Sequence, residues 1–71
     1  REQYLQKLKG FMDDVLTARE REILILRYGL GGQEEWTQRD VAHKYGISRS
    51  YVSRIEKKAL LKLNQCYQNI L

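Results

Sequence analysis

No proline interrupts the 71 residues of this chain, and its five glycines stand at Gly10, Gly29, Gly31, Gly32 and Gly46. Proline lacks a backbone donor and clashes inside a helix, whereas glycine makes a left-handed helix end inexpensive. A chain so poor in breakers is expected to be helical over most of its length, with Gly29 and Gly46 marking the stops. The fold class this predicts is all-α.

The apolar residues keep helical time. Tyr4, Leu5, Leu8, Phe11, Met12, Val15 and Leu16 recur at intervals of three and four, which predicts a first amphipathic helix over residues 2–15. Thr17-Ala18-Arg19-Glu20 has the form of a capping box, so a second helix should start at Ala18, carry Ile23, Leu24, Leu26 and Tyr28, and stop at Gly29. Gly31-Gly32 opens a loop through Trp36. Thr37 and Asp40 then cap a short third helix over 38–45, with Val41, Ala42 and Tyr45 on its apolar side. Gly46 permits a tight turn, and Ser48 caps a fourth helix in which Val52, Ile55, Ala59, Leu60, Leu63, Tyr67 and Ile70 keep the period, long enough to run towards the C-terminus.

Seventy-one residues suffice for one small domain, since chains divide only above ~200 residues, so a two-domain enzyme is excluded and residues 1–71 are read as a single domain. With 42% hydrophobic and 31% charged residues, the composition is that of a folded soluble chain. The longest apolar run, Ile23 to Leu26, is far short of the ~20 residues of a membrane span, so no membrane partner is expected. One cysteine, Cys66, cannot form an internal disulfide, and it cannot build a zinc site with His43 alone. These features point to the reducing cytoplasm, with no metal and no cofactor. The chain opens on Arg1 rather than Met and is expected to be a fragment of a longer protein.

Charge is concentrated in the second half. Residues 39–62 hold seven basic side chains (Arg39, Lys44, Arg49, Arg54, Lys57, Lys58, Lys62) against Asp40 and Glu56, a balance of +5, whereas residues 1–38 hold six basic against seven acidic. An anionic partner should therefore dock on the C-terminal half.

The third helix, the glycine turn and the fourth helix form a helix-turn-helix over about residues 37–63. Ala42 is small where the two helices must approach, Gly46 sits at the turn, and Val41, Tyr45, Ile47, Val52 and Ile55 supply the core between them. At ~100° per residue from Arg49, Val52, Ile55 and Ala59 fall near 300°, 240° and 280°, the buried side. Arg49, Ser50, Ser53, Arg54 and Lys57 fall near 0°, 100°, 40°, 140° and 80°, one contiguous polar face. Arginine forks can bridge guanine O6 and N7 and serines can bond base edges or phosphates, so this face suits the major groove of DNA. Glu56, near 340°, is expected to brace Arg49, Arg39 or Lys58 rather than touch DNA.

The motifs Leu16-Thr17-Ala18-Arg19-Glu20-Arg21-Glu22, Leu26-Arg27-Tyr28-Gly29-Leu30, Thr37-Gln38-Arg39-Asp40-Val41-Ala42 and Gly46 to Leu60 resemble, in order and spacing, region 4 of the sigma-70 family of bacterial transcription initiation factors. The likeness runs from Leu16 to Leu63, and Ile47 to Ala59 looks most like the sporulation sigma-E and sigma-K group. It implies a domain that binds the minus-35 promoter element and docks on the flap of the RNA polymerase β subunit. By position, Arg49, Ser50, Ser53 and Arg54 match base-reading residues, and Arg27, Thr37, Gln38, Arg39 and Lys58, joined by Lys57 on the same helix, match phosphate contacts. Primary sigma factors carry a glutamate where this chain has Ser50 and a glutamine where it has Arg54, so the resemblance does not imply the primary minus-35 hexamer as target. The partners implied are promoter duplex DNA, the polymerase core and, of a kind the sequence does not identify, an anti-sigma factor or activator.

Two other readings compete. The output domain of a two-component response regulator shares the Leu-Thr-x-Arg-Glu opening, but the long loop Leu30 to Trp36 and the phrase Arg54 to Leu60 argue against it. A region 4-like module acting mainly through protein contacts would use Ile25, Tyr67, Ile70 and Leu71 as its adhesive positions. An enzyme is not expected, because one histidine, one cysteine and surface carboxylates supply no cluster of nucleophile, base and oxyanion donors.

Overall fold

A computed structural model describes residues 2–69, apart from the side chains of Glu2 and Leu5. Four helices follow in order, α1 (Glu2–Val15), α2 (Ala18–Tyr28), α3 (Gln38–Tyr45) and α4 (Arg49–Asn69), with no strand among the described residues. The all-α expectation holds, and α4 packs against each of the other three helices. At ~1.5 Å per residue its 21 residues reach about 31 Å, nearly the 36 Å long axis of the molecule.

Local chemistry sets the helix ends. The Thr17 hydroxyl accepts from the Glu20 amide while the Glu20 carboxylate accepts from the Thr17 amide, and Thr37 and Asp40 repeat this reciprocal cap at α3. The stops are equally alike. Gly29 and Gly46 take left-handed φ values of 62° and 65°, and the amides of Leu30 and Ile47 reach back to the carbonyls of Ile25 and Ala42. This closure satisfies helix-end carbonyls and turns the next side chain inward. Leu30 thereby joins one core and Ile47 the other.

The two cores meet along α4. Met12, Leu16, Leu24, Ala59 and Leu63 tie α1 and α2 to the C-terminal half of α4, whereas Ile23, Val41, Ala42 and Val52 tie α2 and α3 to its N-terminal half. Adjacent residues Ile23 and Leu24 on α2 therefore feed different cores. Phe11 meets Tyr67 edge-to-face at 5.0 Å, so α1 runs back along the end of α4.

Four residues of the expected apolar stripes are exposed: Tyr4 (74%), Val15 (37%), Tyr28 (45%) and Leu60 (40%). Tyr4 lies about two turns N-terminal to Phe11, the α1 residue whose ring meets Tyr67. Val15 is the last residue of α1. Leu60, at ~100° per residue, projects near 20°, beside Arg49 and Ser53 rather than beside Ala59. Residues 64–69 remain helical, and the expectations for Ile70 and Leu71 lie outside the described residues.

Candidate nucleic-acid interface

The glycine turn fixes where α4 begins. The Ser48 hydroxyl accepts from the Tyr51 amide at 3.0 Å, which caps the helix and presents the residues after it. Val52 and Ala59 are fully buried, and Arg49, Ser50, Arg54, Lys57 and Lys58 are exposed, with Ser53 half-buried. The polar face predicted from the helical angles is thus the solvent face.

Two shallow clefts connect that face to the rest of the molecule. Arg27, Thr37, Gln38, Arg39 and Arg49 line the first, and Gln38, Arg49, Ser50 and Ser53 line the second. Gln38 and Arg49 belong to both, so most of the expected phosphate set and most of the expected base-reading set form one surface across α3 and the start of α4. Lys57 and Lys58 line neither cleft. Lys57 continues the polar face further along α4, whereas Lys58 lies near enough to Glu20 for its charge to favour that carboxylate. Among the described residues Arg39, Arg49, Arg54, Lys57 and Lys58 form no ion pair, which leaves their charge available to an anion.

Glu56 corrects the sequence expectation. Its carboxylate is bound by Arg27, with Nε donating at 2.6 Å, rather than by Arg49, Arg39 or Lys58. Arg27 also donates from Nη1 to the Trp36 carbonyl at 2.7 Å, and the Trp36 amide donates to the Leu26 carbonyl at 2.8 Å. The end of α2, the loop and the middle of α4 are stitched together through this one guanidinium. The reason is packing: the C-terminal end of α2 abuts the core edge of α4 where Glu56 emerges. The pair neutralises an acidic group on α4, and Arg27 remains on the cleft wall. Burial and the Glu56 charge raise the Tyr28 hydroxyl above its ordinary range, the hydroxyl standing 3.5 Å from Glu56 Oε2.

A second carboxylate anchors the far side. Glu20 is buried and receives Lys62 Nζ at 2.8 and 3.1 Å. Burial alone would raise its carboxyl, but the Lys62 hydrogen bond, the Thr17 amide and the charges of Lys62 and Lys58 outweigh that and hold it below the usual carboxylate range. Lys62, counted above in the basic segment, is therefore a structural cation. Tyr45 similarly donates to Glu22 at 2.9 Å with Arg19 over its ring, joining α3 to α2, and burial with that bond raises its hydroxyl.

Sequence reasoning passed over Tyr51, which is 45% exposed with the Arg54 guanidinium 5.8 Å over its ring. Its signal was an aromatic three residues before a candidate base-reading arginine. A separate apolar groove is lined by Leu8, Met12, Ile25 and Leu30, with Lys9, Asp13 and Arg21 at its edge, and it shares no residue with the two basic clefts. Among the described residues no group of side chains could hold a metal ion, and no helix is long and apolar enough to cross a membrane.

The Sigma-70, region 4 family model matches residues 14–65. The chain is 54% identical over 59 residues to the RNA polymerase sigma-28 factor of Bacillus thuringiensis subsp. kurstaki, covering 83% of this chain and 24% of that protein. It is 52% identical over 59 residues to the RNA polymerase sigma-K factor of Bacillus subtilis, covering 83% and 20%. It is 50% identical over 50 residues to the RNA polymerase sigma-E factor of Clostridium acetobutylicum, covering 70% and 21%. The chain thus spans about a fifth to a quarter of the length of these curated relatives. No solved structure matches it significantly. The relatives include the sigma-K and sigma-E group that the sequence resembles, and they are transcription initiation factors rather than enzymes. With a helix-turn-helix at its centre and the family model matched from residue 14 to residue 65, the chain belongs to the sigma-70 region 4 family.

Proposed function

We propose that this domain binds the minus-35 element of bacterial promoters through the exposed face of α4, as the promoter-recognition part of a cytoplasmic sigma factor of the sporulation type. The observation that carries the reading is the continuity of the two clefts. Arg27, Thr37, Gln38 and Arg39 offer a guanidinium-rich wall for phosphates beside Arg49, Ser50 and Ser53 at the start of the helix that enters the groove, with Arg54 one turn on. Phosphate contacts fix register and base-edge contacts carry sequence. The response-regulator alternative loses ground to relatives that are named sigma factors. The interaction-module alternative loses Tyr67, whose ring packs edge-to-face on Phe11.

The same domain docks on the flap of the polymerase β subunit. Support comes from the groove of Leu8, Met12, Ile25 and Leu30, an apolar trough of the kind that takes the hydrophobic side of a partner helix. Because its lining is separate from the basic clefts, DNA and polymerase can be held together.

The test is a fluorescence titration of the full-length protein with polymerase core on promoter duplex over a salt series. Each lost phosphate contact should reduce the log-log salt slope by about 0.9, so Arg39→Ala with Lys58→Ala should flatten it by up to about 1.8. Ile25→Lys should weaken capture by the polymerase core and leave that slope unchanged. An unchanged slope in the double variant would remove both residues from the phosphate set.

A further inference from the structure

The first turn of α4 carries a large aromatic that neither core uses. Tyr51 is 45% exposed, beside Val52 at 0%. Its backbone amide serves the Ser48 cap, and among the described residues its hydroxyl makes no hydrogen bond. What the ring meets is Arg54, whose guanidinium carbon stands 5.8 Å from the ring centroid. Residues three apart on a helix are surface neighbours, and a guanidinium within ~6 Å of an aromatic face is attracted to its π electrons. Arg49, the other arginine of the exposed face, has no such aromatic neighbour among the described residues.

We propose that Tyr51 is a positioning residue for base reading: its ring holds the Arg54 guanidinium in the direction needed for a two-pronged hydrogen bond to guanine and so sharpens preference at one base pair. The proposal rests on the reading of Arg54 as a base-reading residue. Arg54 has no carboxylate partner among the described residues to fix it, and a free arginine loses many rotamers when it binds. A ring stacked in advance removes part of that loss before DNA arrives. The recognising element is the π face, so the hydroxyl is dispensable. Arg49 meets DNA without this support, which makes it an internal control on the same helix.

The experiment selects from a duplex library randomised through the upstream promoter element, using the full-length protein assembled with polymerase core. Arg54→Ala and Arg49→Ala first identify the base pair each arginine reads. Tyr51→Leu should reduce preference at the Arg54 base pair by about 2- to 5-fold, leave the Arg49 base pair unchanged and melt within a few degrees of the parent. Tyr51→Phe should retain the full preference. The proposal is overturned if Tyr51→Leu keeps the Arg54 preference, if it loses both preferences equally, if its melting collapses, or if Tyr51→Phe fails as Tyr51→Leu does. Should Arg54→Ala itself leave every preference intact, base reading by Arg54 fails first and the role of Tyr51 falls with it.

Discussion

Replacing Glu56 by alanine should destabilise the domain far more than the loss of a surface carboxylate. Glu56 and Arg27 have side chains only 10% and 23% exposed, and their Nε to Oε1 distance is 2.6 Å. Exposed pairs contribute ~0–1 kcal/mol, whereas breaking a fully buried one costs ~3–5 kcal/mol. The Arg27–Glu56 bond lies between, near the ~1.5–3 kcal/mol of a hydrogen bond to a charged group. A domain of 71 residues has about 4–10 kcal/mol of stability in all, so a loss of about 2 kcal/mol is a large share. It corresponds to a fall of about 8–16 °C in Tm at this size. Thermal and urea melts followed by circular dichroism measure it, and a double-mutant cycle with Arg27→Ala isolates the coupling. Glu56→Gln should fall between parent and Glu56→Ala, because the amide still accepts from Nε but carries no charge. A coupling below about 0.5 kcal/mol, the scatter of ordinary surface changes, would refute the claim that this pair joins α2 to α4.

Other perturbations separate local strain from packing. Gly29→Ala should destabilise more than Gly46→Ala: both force alanine into a left-handed conformation at about 1–2 kcal/mol, but at Gly29 the added Cβ also meets the Gln33 carbonyl oxygen, whereas at Gly46 it meets nothing. Equal melting temperatures for the two variants would contradict this. Glu20 titrates below its ordinary value of 4.5 in the folded chain, so its contribution is complete above that pH and is lost as pH falls through the lower folded value. Urea melts should therefore show an acid-range loss that Glu20→Gln diminishes, and Lys62→Met should cost about 1–3 kcal/mol at neutral pH by leaving the buried carboxylate without its main partner. Ala42→Leu should overpack the core between α3 and α4 by about 1–3 kcal/mol, and a melt matching the parent would show that the helices have room to spare.

The helix limits were legible because their signals are local. Thr17 and Glu20, Thr37 and Asp40, and Ser48 and Tyr51 each act across three residues, and Gly29 and Gly46 mark stops that only a left-handed residue makes cheaply. The exposed face of α4 was legible for the same reason, since one helical angle per residue decides it. What stayed hidden depends on distant partners. Arg27 reaches Glu56 across 29 residues and Lys62 reaches Glu20 across 42, and no periodicity announces which cation a buried carboxylate will find. Leu60 shows the reverse error: its type suggested core, while its angle placed it on the open side.

Affinities of the Arg49 and Arg54 variants for cognate and random DNA separate a reader of sequence from an anchor for phosphates. The measurement is the affinity of the full-length protein with polymerase core for its own promoter and for scrambled duplex at one fixed salt concentration. A base-reading role predicts that Arg49→Ala or Arg54→Ala costs ~1–3 kcal/mol on the promoter and much less on the scrambled duplex, with Arg54→Gln shifting preference at that base pair rather than abolishing binding. Equal losses on both duplexes would contradict the account, making the exposed face of α4 an anchor for phosphates rather than a reader of sequence.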